Sequence, residues 1–223
     1  MTEEVFPKDD GQRLNALKTL LANNELYMAR TRFIDMEVVN GAQAVCGRLE
    51  TAVGQYELCM GAIGRHNPVL DKAREHAMMY ATHFMIVLLM AMERGEVRPQ
   101  TLQLYGFSDE KKVLGEMQTA DDVYRLTPKI IEGEKKRIAG GGRPIYNPTI
   151  GMVATHYDIF RDAYEQHDIL QAKAGRAAAE LESARAAADA VIADVWGRVK
   201  AHFAQLPDDE RRQKCAEYGV ACE

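Results

Sequence analysis

A chain of 223 residues with 47% hydrophobic content is long enough to bury a sizeable core as one domain or two closely packed ones. Its net charge of −5, from 28 basic against 33 acidic residues, lacks the concentrated basic excess of a nucleic-acid surface, so no nucleic-acid partner is expected. The cysteines Cys46, Cys59, Cys215 and Cys222 form no CxxC pair, and no basic region followed by an apolar segment opens the chain, so the expectation is a cytoplasmic protein with reduced thiols.

The first ten residues are polar and expected to fray. Helical periodicity begins near Gln12, where Leu14, Leu17 and Leu21 share a face. It continues more weakly past Asn23 and Asn24 through Leu26, Ala29 and Phe33. Val38-Val39 before Asn40-Gly41 reads as a connection. Val45, Leu49, Val53, Tyr56, Met60 and Ile63 then step by three and four up to Gly64, the spacing of a core helix.

Asn67-Pro68 is a helix start: Asn accepts from the orphan amides, and Pro at the first position gives up an N–H that has no partner there. Leu70, Ala73, Ala77, Tyr80, Phe84, Val87 and Ala91 form the stripe that follows, and Gly95 is its stop. Residues 84–92 are apolar all round, which places this helix centrally. The run is shorter than the roughly 20 residues a bilayer requires, so no membrane span is expected. With only Arg65 and His66 between Gly64 and Asn67, the two helices are expected to form an antiparallel hairpin.

Residues 99–107 predict a short helical turn closed by Gly106, and 108–118 a charged crossover. Thr119 caps a helix with Asp121 and Asp122 in its first turn, Val123, Leu126, Ile130 and Ile131 on one face, and Lys135, Lys136 and Arg137 in its last turn. Gly140, Gly141 and Gly142 break it into a loop or hinge. Asn147-Pro148 repeats the start signal, and Val153, Tyr157, Phe160 and Tyr164 carry the next stripe. From Leu170 to Val199 apolar residues keep steps of three and four with no proline. A turn is expected within 165–185, favoured at 179–183, because an unbroken helix would approach 90 Å at roughly 1.5 Å per residue. Pro207 ends that helix, and 208–218 forms a short charged one closed by Gly219.

The closing motifs Leu104-Tyr105-Gly106-Phe107 and Glu217-Tyr218-Gly219-Val220 match, and aligned backwards from them Phe84 falls opposite Trp196 and Val87 opposite Val199. The expected fold is therefore all-α: an antiparallel four-helix bundle built from two similar helical hairpins, with additional short helices. The expected domain is single over 1–223, with an N-terminal segment 1–40, a first hairpin 41–107, a crossover 108–146 and a second hairpin 147–223.

Candidate chemistry is sparse. His76 and His83 lie seven apart with Met90 continuing the line, and His156 is the further residue that would complete a metal or haem site; core packing by these side chains is the competing reading. Glu-x-x-His, the signature of carboxylate-bridged di-iron bundles, does not occur. Hydroxyl nucleophiles are confined to Ser108, Ser183 and the threonines, and Cys46, Cys59 and Cys215 carry no local signature, so enzymatic chemistry is not favoured. The glycines at 140–142 with Arg143 suggest an anion beside a helix N-terminus, against a plain linker, and no Walker or dinucleotide fingerprint accompanies them. Tyr105 and Tyr218 are expected to pin their short helices to the bundle, and the alanine-rich run 172–190 to offer a low surface for another helix. The function expected is a non-enzymatic interaction or scaffold module without cofactor, working through a protein partner or self-association. The rival is a metal- or haem-binding bundle using His76, His83 and His156.

Overall fold

The computed structural model describes residues 5–108 and 117–220. Residues 109–116 of the expected crossover, together with Cys222, lie outside the described residues. Within them the chain is all-helical: α1 (Asp10–Ala22), a short 3-10 helix (Asn24–Tyr27), α2 (Met36–Glu93), a second 3-10 helix (Pro99–Tyr105), α3 (Ala120–Ala139), α4 (Ile150–His202) and α5 (Asp208–Glu217).

Both expected hairpin turns are absent. α2 is one helix of 58 residues that runs through Asn40-Gly41 and through Gly64 to Pro68, and α4 is one helix of 53 residues that runs through 179–183. Pro68 inside α2 leaves the Gly64 carbonyl without its usual amide, and such a residue favours a break locally. The apolar stripe nevertheless crosses the site in phase, since Ile63 and Leu70 are seven residues, two turns, apart. One face can then stay buried on both sides, and burial overrides the local signal. In α4 no proline interrupts the helix, and Ala174, Leu181, Ala184, Ala188, Ile192, Val195 and Val199 give a buried stripe that runs past Gly175 and through 179–183. Even division of the length was a poor guide where local propensity was uniformly helical.

The chain separates into two compact units whose limits fall inside the long helices: Met1–Gly61 with Ala172–Glu223, and Ala62–Gln171.

In the first unit, the opening of α2 and the end of α4 run antiparallel, as Arg48 to Glu180 (2.8 Å) and Arg198 to Asp35 (3.6 Å) show. α1 lies on them through two crossed ion pairs: Arg13 donates to Asp189 at 2.7 and 3.1 Å, and Arg185 to Asp10 at 2.8 and 2.7 Å. Leu17, Leu20, Leu26, Leu49 and Trp196 fill the core between. Ala184 and Ala188 of the alanine-rich run are buried in that core, so part of its low surface is used within the chain. Among the described residues of the polar opening, Asp9 caps α1 by accepting from the Gln12 amide at 2.8 Å, and Phe6 meets the Trp196 ring edge-on at 5.6 Å. The Asn pair does break the first helix, with Asn23 as its C-cap.

In the second unit, the end of α2 and the opening of α4 again run antiparallel, as the contacts of His66 with Ala163 and of His76 with His156 show, and α3 and the second 3-10 helix pack on them around Phe84, Met85, Leu88, Tyr105, Leu126 and Ile130. Gly95 and Gly106 end their helices in the left-handed region, as the sequence predicts, at φ 75° and 85°. Thr119 and Asp122 form a reciprocal capping box at the start of α3. α4 begins at Ile150, after Asn147-Pro148; Thr149 supplies the cap, its Oγ1 accepting from the Met152 amide at 3.3 Å.

By length and composition α2 is apolar enough to cross a bilayer, a test that buried core helices also pass. Phe84, Met85 and Leu88 of its apolar stretch are fully buried.

Candidate functional site

Among the described residues, the buried charged side chains are Glu134 and Arg137, which the sequence reading does not single out as a pair. Along α3 the stripe Val123, Leu126, Ile130 continues at steps of four and three onto Glu134 and Arg137, so a carboxylate and a guanidinium are carried into the core of the second unit. Arg137 donates from Nη2 to Glu134 Oε1 at 2.7 Å and from Nε to Oε2 at 2.8 Å. The Tyr105 hydroxyl donates to Glu134 Oε2 at 2.5 Å and accepts from Arg137 Nε at 2.9 Å. The Ile145 amide donates to Glu134 Oε1 at 3.1 Å, and Arg137 Nη2 donates to the Arg143 carbonyl at 2.6 Å.

Every charged group here has partners, which is the condition for burying an ion pair. Burial alone would raise the Glu134 pKa; the bonds from Arg137, Tyr105 and the Ile145 amide outweigh it and hold the carboxyl below its ordinary value. Tyr105 is pushed up, first by burial and then by the adjacent carboxylate. The network ties the loop at 142–146 to α3. Its residue types and phase are present in the sequence, where Arg137 reads as a last-turn charge and Glu134 continues the apolar stripe.

The tri-glycine run terminates α3 rather than cradling an anion. The amides of Gly140, Gly141 and Gly142 donate back to the carbonyls of Lys136, Ile138 and Arg137 at 3.0, 2.9 and 3.0 Å, so none of the three points outward for a ligand. Gly142 is required for contact, since an added Cβ would lie 2.7 Å from Arg137 Nη1.

Of the histidines expected to bind metal, His76 and His156 meet, with ring centroids 5.7 Å apart and nearly perpendicular, and His156 stacks on Tyr80 at 4.0 Å. His83 is not part of this contact. His76, His83 and Met90 share an exposed flank of α2, so they are neither core fillers nor inward-facing ligands. Among the described residues no three of His, Cys, Asp and Glu gather as a metal site would require. A second pair, His66 and His167, stacks at 6.1 Å, with His66 Nε2 donating to the Ala163 carbonyl at 2.8 Å.

His76 and His156 stand at one end of a groove of about 390 Å³ between α2 and α4, with Ala73 and Ala163 as its floor and Pro68, Val69 and Ile159 along its sides. Val69 and Ile159 are 57% and 55% exposed, values that mark large aliphatic side chains left open to solvent on a face otherwise built for packing. The periodicity places Tyr80 and Ala73 on the stripe, whereas Val69 and Ile159 lie beside it, where periodicity carries no signal.

The nucleophiles offer less. Cys46 and Cys215 are buried, and burial pushes the Cys46 thiol up, away from the thiolate a nucleophile needs. Ser183 accepts from Arg48 at 2.9 Å, a partner that cannot act as its base. Compared with protein-family models, with curated proteins and with solved structures, the chain matches none.

Proposed function

We propose that the chain is a non-enzymatic interaction module that docks another helix along the groove between α2 and α4 of its second unit. The observation that carries this is the exposure of Val69 and Ile159 beside a floor of Ala73 and Ala163. Small floor residues let a helix approach closely, and the flanking aliphatic side chains supply apolar area to bury. A second copy of the chain is the first partner to test. Ridge and groove lie on one face, so two copies related by a twofold axis each present what the other lacks. Cytoplasmic placement belongs to the same reading and rests on cysteine spacing.

The test is the mass in solution by sedimentation equilibrium over a range of concentrations. The wild type is expected to dimerise, and Val69→Asp with Ile159→Asp to remain monomeric with an unchanged helical spectrum. A wild type that stays monomeric up to about 0.1 mM ends the self-association reading.

The metal- or haem-binding reading keeps one supporting observation, the approach of His76 to His156. It requires further ligands from a partner or a second copy. Metal retained by the purified chain and lost in His76→Ala with His156→Ala would favour it.

We also infer an internal duplication, of a unit other than the expected hairpin. α1, α2 and the second 3-10 helix correspond in order to α3, α4 and α5, each set ending in Tyr-Gly-apolar. Support comes from the fully buried Tyr105 and Tyr218, from Gly106 and Gly219 at φ 85° and 81°, and from a tyrosine-to-glutamate hydrogen bond in each, to Glu134 and to Glu25.

A further inference from the structure

Beside the tri-glycine turn, the second unit holds a cavity of about 830 Å³ that the docking groove does not include. Three chain segments wall it, and each contributes a cation: Arg98 after α2, Lys136 from the last turn of α3, and Arg143 from the loop before α4. Arg137 lies behind them with its charge committed to Glu134. The opposing carboxylates are few. Glu96 on the cavity wall is gripped by Arg94 at 2.7 and 3.2 Å, and Glu132 approaches Lys136 only to 3.6 Å across an exposed turn. Three cations converging on one hollow stand out in a chain whose net charge is −5.

The hollow is also built. The Arg137 bond to the Arg143 carbonyl and the Glu134 bond to the Ile145 amide fasten the backbone on both sides of Pro144 to a buried ion pair. The position from which Arg143 projects is therefore held before any ligand arrives, which lowers the ordering cost of binding. Because the glycine amides are spent on α3, an anion here would be met by side chains. The walls are not wholly polar: Val97 and Ile145 are nearly buried in them, and the Tyr146 ring stands 71% exposed at the rim. Cations from three walls, aliphatic surface between them and an exposed aromatic ring suit a charged group attached to a carbon skeleton. The volume falls within the usual range for small-molecule sites.

We propose that this cavity binds a small organic phosphate, the phosphate held by Arg98, Lys136 and Arg143 and the rest of the molecule against Val97, Ile145 and Tyr146. Guanidinium groups favour phosphate through paired, charge-assisted hydrogen bonds. The proposal is independent of the docking groove.

The experiment is calorimetric titration of the full chain with inorganic phosphate, glucose 6-phosphate and adenosine monophosphate, beside flotation with phosphatidylcholine vesicles containing a phosphoinositide. At least one organic phosphate is expected to bind more tightly than inorganic phosphate and to weaken about tenfold or more in Arg98→Ser with Arg143→Ser. Lys18→Ser, an exposed cation of the first unit paired with Glu50, is expected to leave affinity unchanged. Both cavity arginines are exposed, so their loss should spare the fold; Lys136→Ser gives a second variant with the same expected direction. The proposal is overturned if no soluble phosphate binds at about 1 mM, if the arginine variant binds as well as wild type, if inorganic phosphate matches the organic ones, or if only vesicles bind.

Discussion

Tyr105 and Glu134 are joined by a hydrogen bond of 2.5 Å between two side chains that are both fully buried, one ending a 3-10 helix and the other in the penultimate turn of α3. Removing the hydroxyl in Tyr105→Phe leaves Glu134 with Arg137 and the Ile145 amide, so the expected loss is about 1–3 kcal/mol. Glu134→Gln strands the Arg137 charge and is expected to cost more, about 3–5 kcal/mol. Because two units need not unfold together, the measurement that separates them is hydrogen exchange: amides of α3 should lose protection in both variants while those of α1 do not.

Acid should act on the same unit. Glu134 titrates below its ordinary value in the folded chain, so its contribution is present above the unfolded value, near 4.3, and disappears as pH falls through the lower folded one. The Thr119 hydroxyl and amide, with Arg125, similarly bring the exposed Asp122 down to about 2. Urea midpoints followed from pH 7 downward are expected to fall below about pH 4, and the fall to be smaller in Glu134→Gln.

Alkali carries the opposite sign. Tyr105 and Tyr218 are raised by burial first and by Glu134 and Glu25 second, and Tyr164 is pushed up to about 12, chiefly by its bond to Asp121. Each favours the neutral phenol in the fold, so its stabilisation is full below the unfolded value, near 10, and is lost as pH rises above it. Spectrophotometric titration should show these phenols ionising only after the ordinary tyrosine range, and together with unfolding.

Glycine substitutions should divide by contact. At Gly133 an added Cβ would lie 2.7 Å from the Leu104 carbonyl and 2.8 Å from the Tyr105 ring, and at Gly219 it would collide with the Ala16 carbonyl from a left-handed backbone. Alanine at either position is expected to cost more than about 2 kcal/mol. Gly175 and Gly64 lie inside long helices with open space around them, and alanine there should stabilise by about 0.5–1 kcal/mol. Gly64→Ala also tests the continuity of α2, since a glycine closing a hairpin in the left-handed region would give a loss instead. Thermal denaturation of the four variants suffices.

Much of the fold was legible where the local signal and the tertiary demand agree. Thr119, Gly95, Gly106, Gly219 and Pro207 were read at or beside helix limits because caps and breakers act within a turn. Asn40-Gly41 and Asn67-Pro68 misled for the converse reason: they are strong local signals inside a stripe that keeps its phase across them, and the buried face decided. The histidine pair was half legible. Spacing along α2 put His76 and His83 on one flank, but whether a flank faces core or solvent depends on the neighbouring helix, and only the pairing of α2 with α4 brings His156 to His76. The cavity cations come from three segments that single-chain periodicity does not connect. The Glu134–Arg137 pair is legible in the sequence, since both residues continue the α3 stripe in phase.

The second unit is one uninterrupted run, Ala62–Gln171, whereas the first joins residues from before and after it. A ribosome emitting this chain therefore releases α1 and the opening of α2 well before the strip of α4 that covers Leu17 and Leu49. The usual order of synthesis, in which the earliest segment folds earliest, is inverted. The middle of the chain can close while the beginning still waits, its apolar face open to chaperones, for the end to arrive.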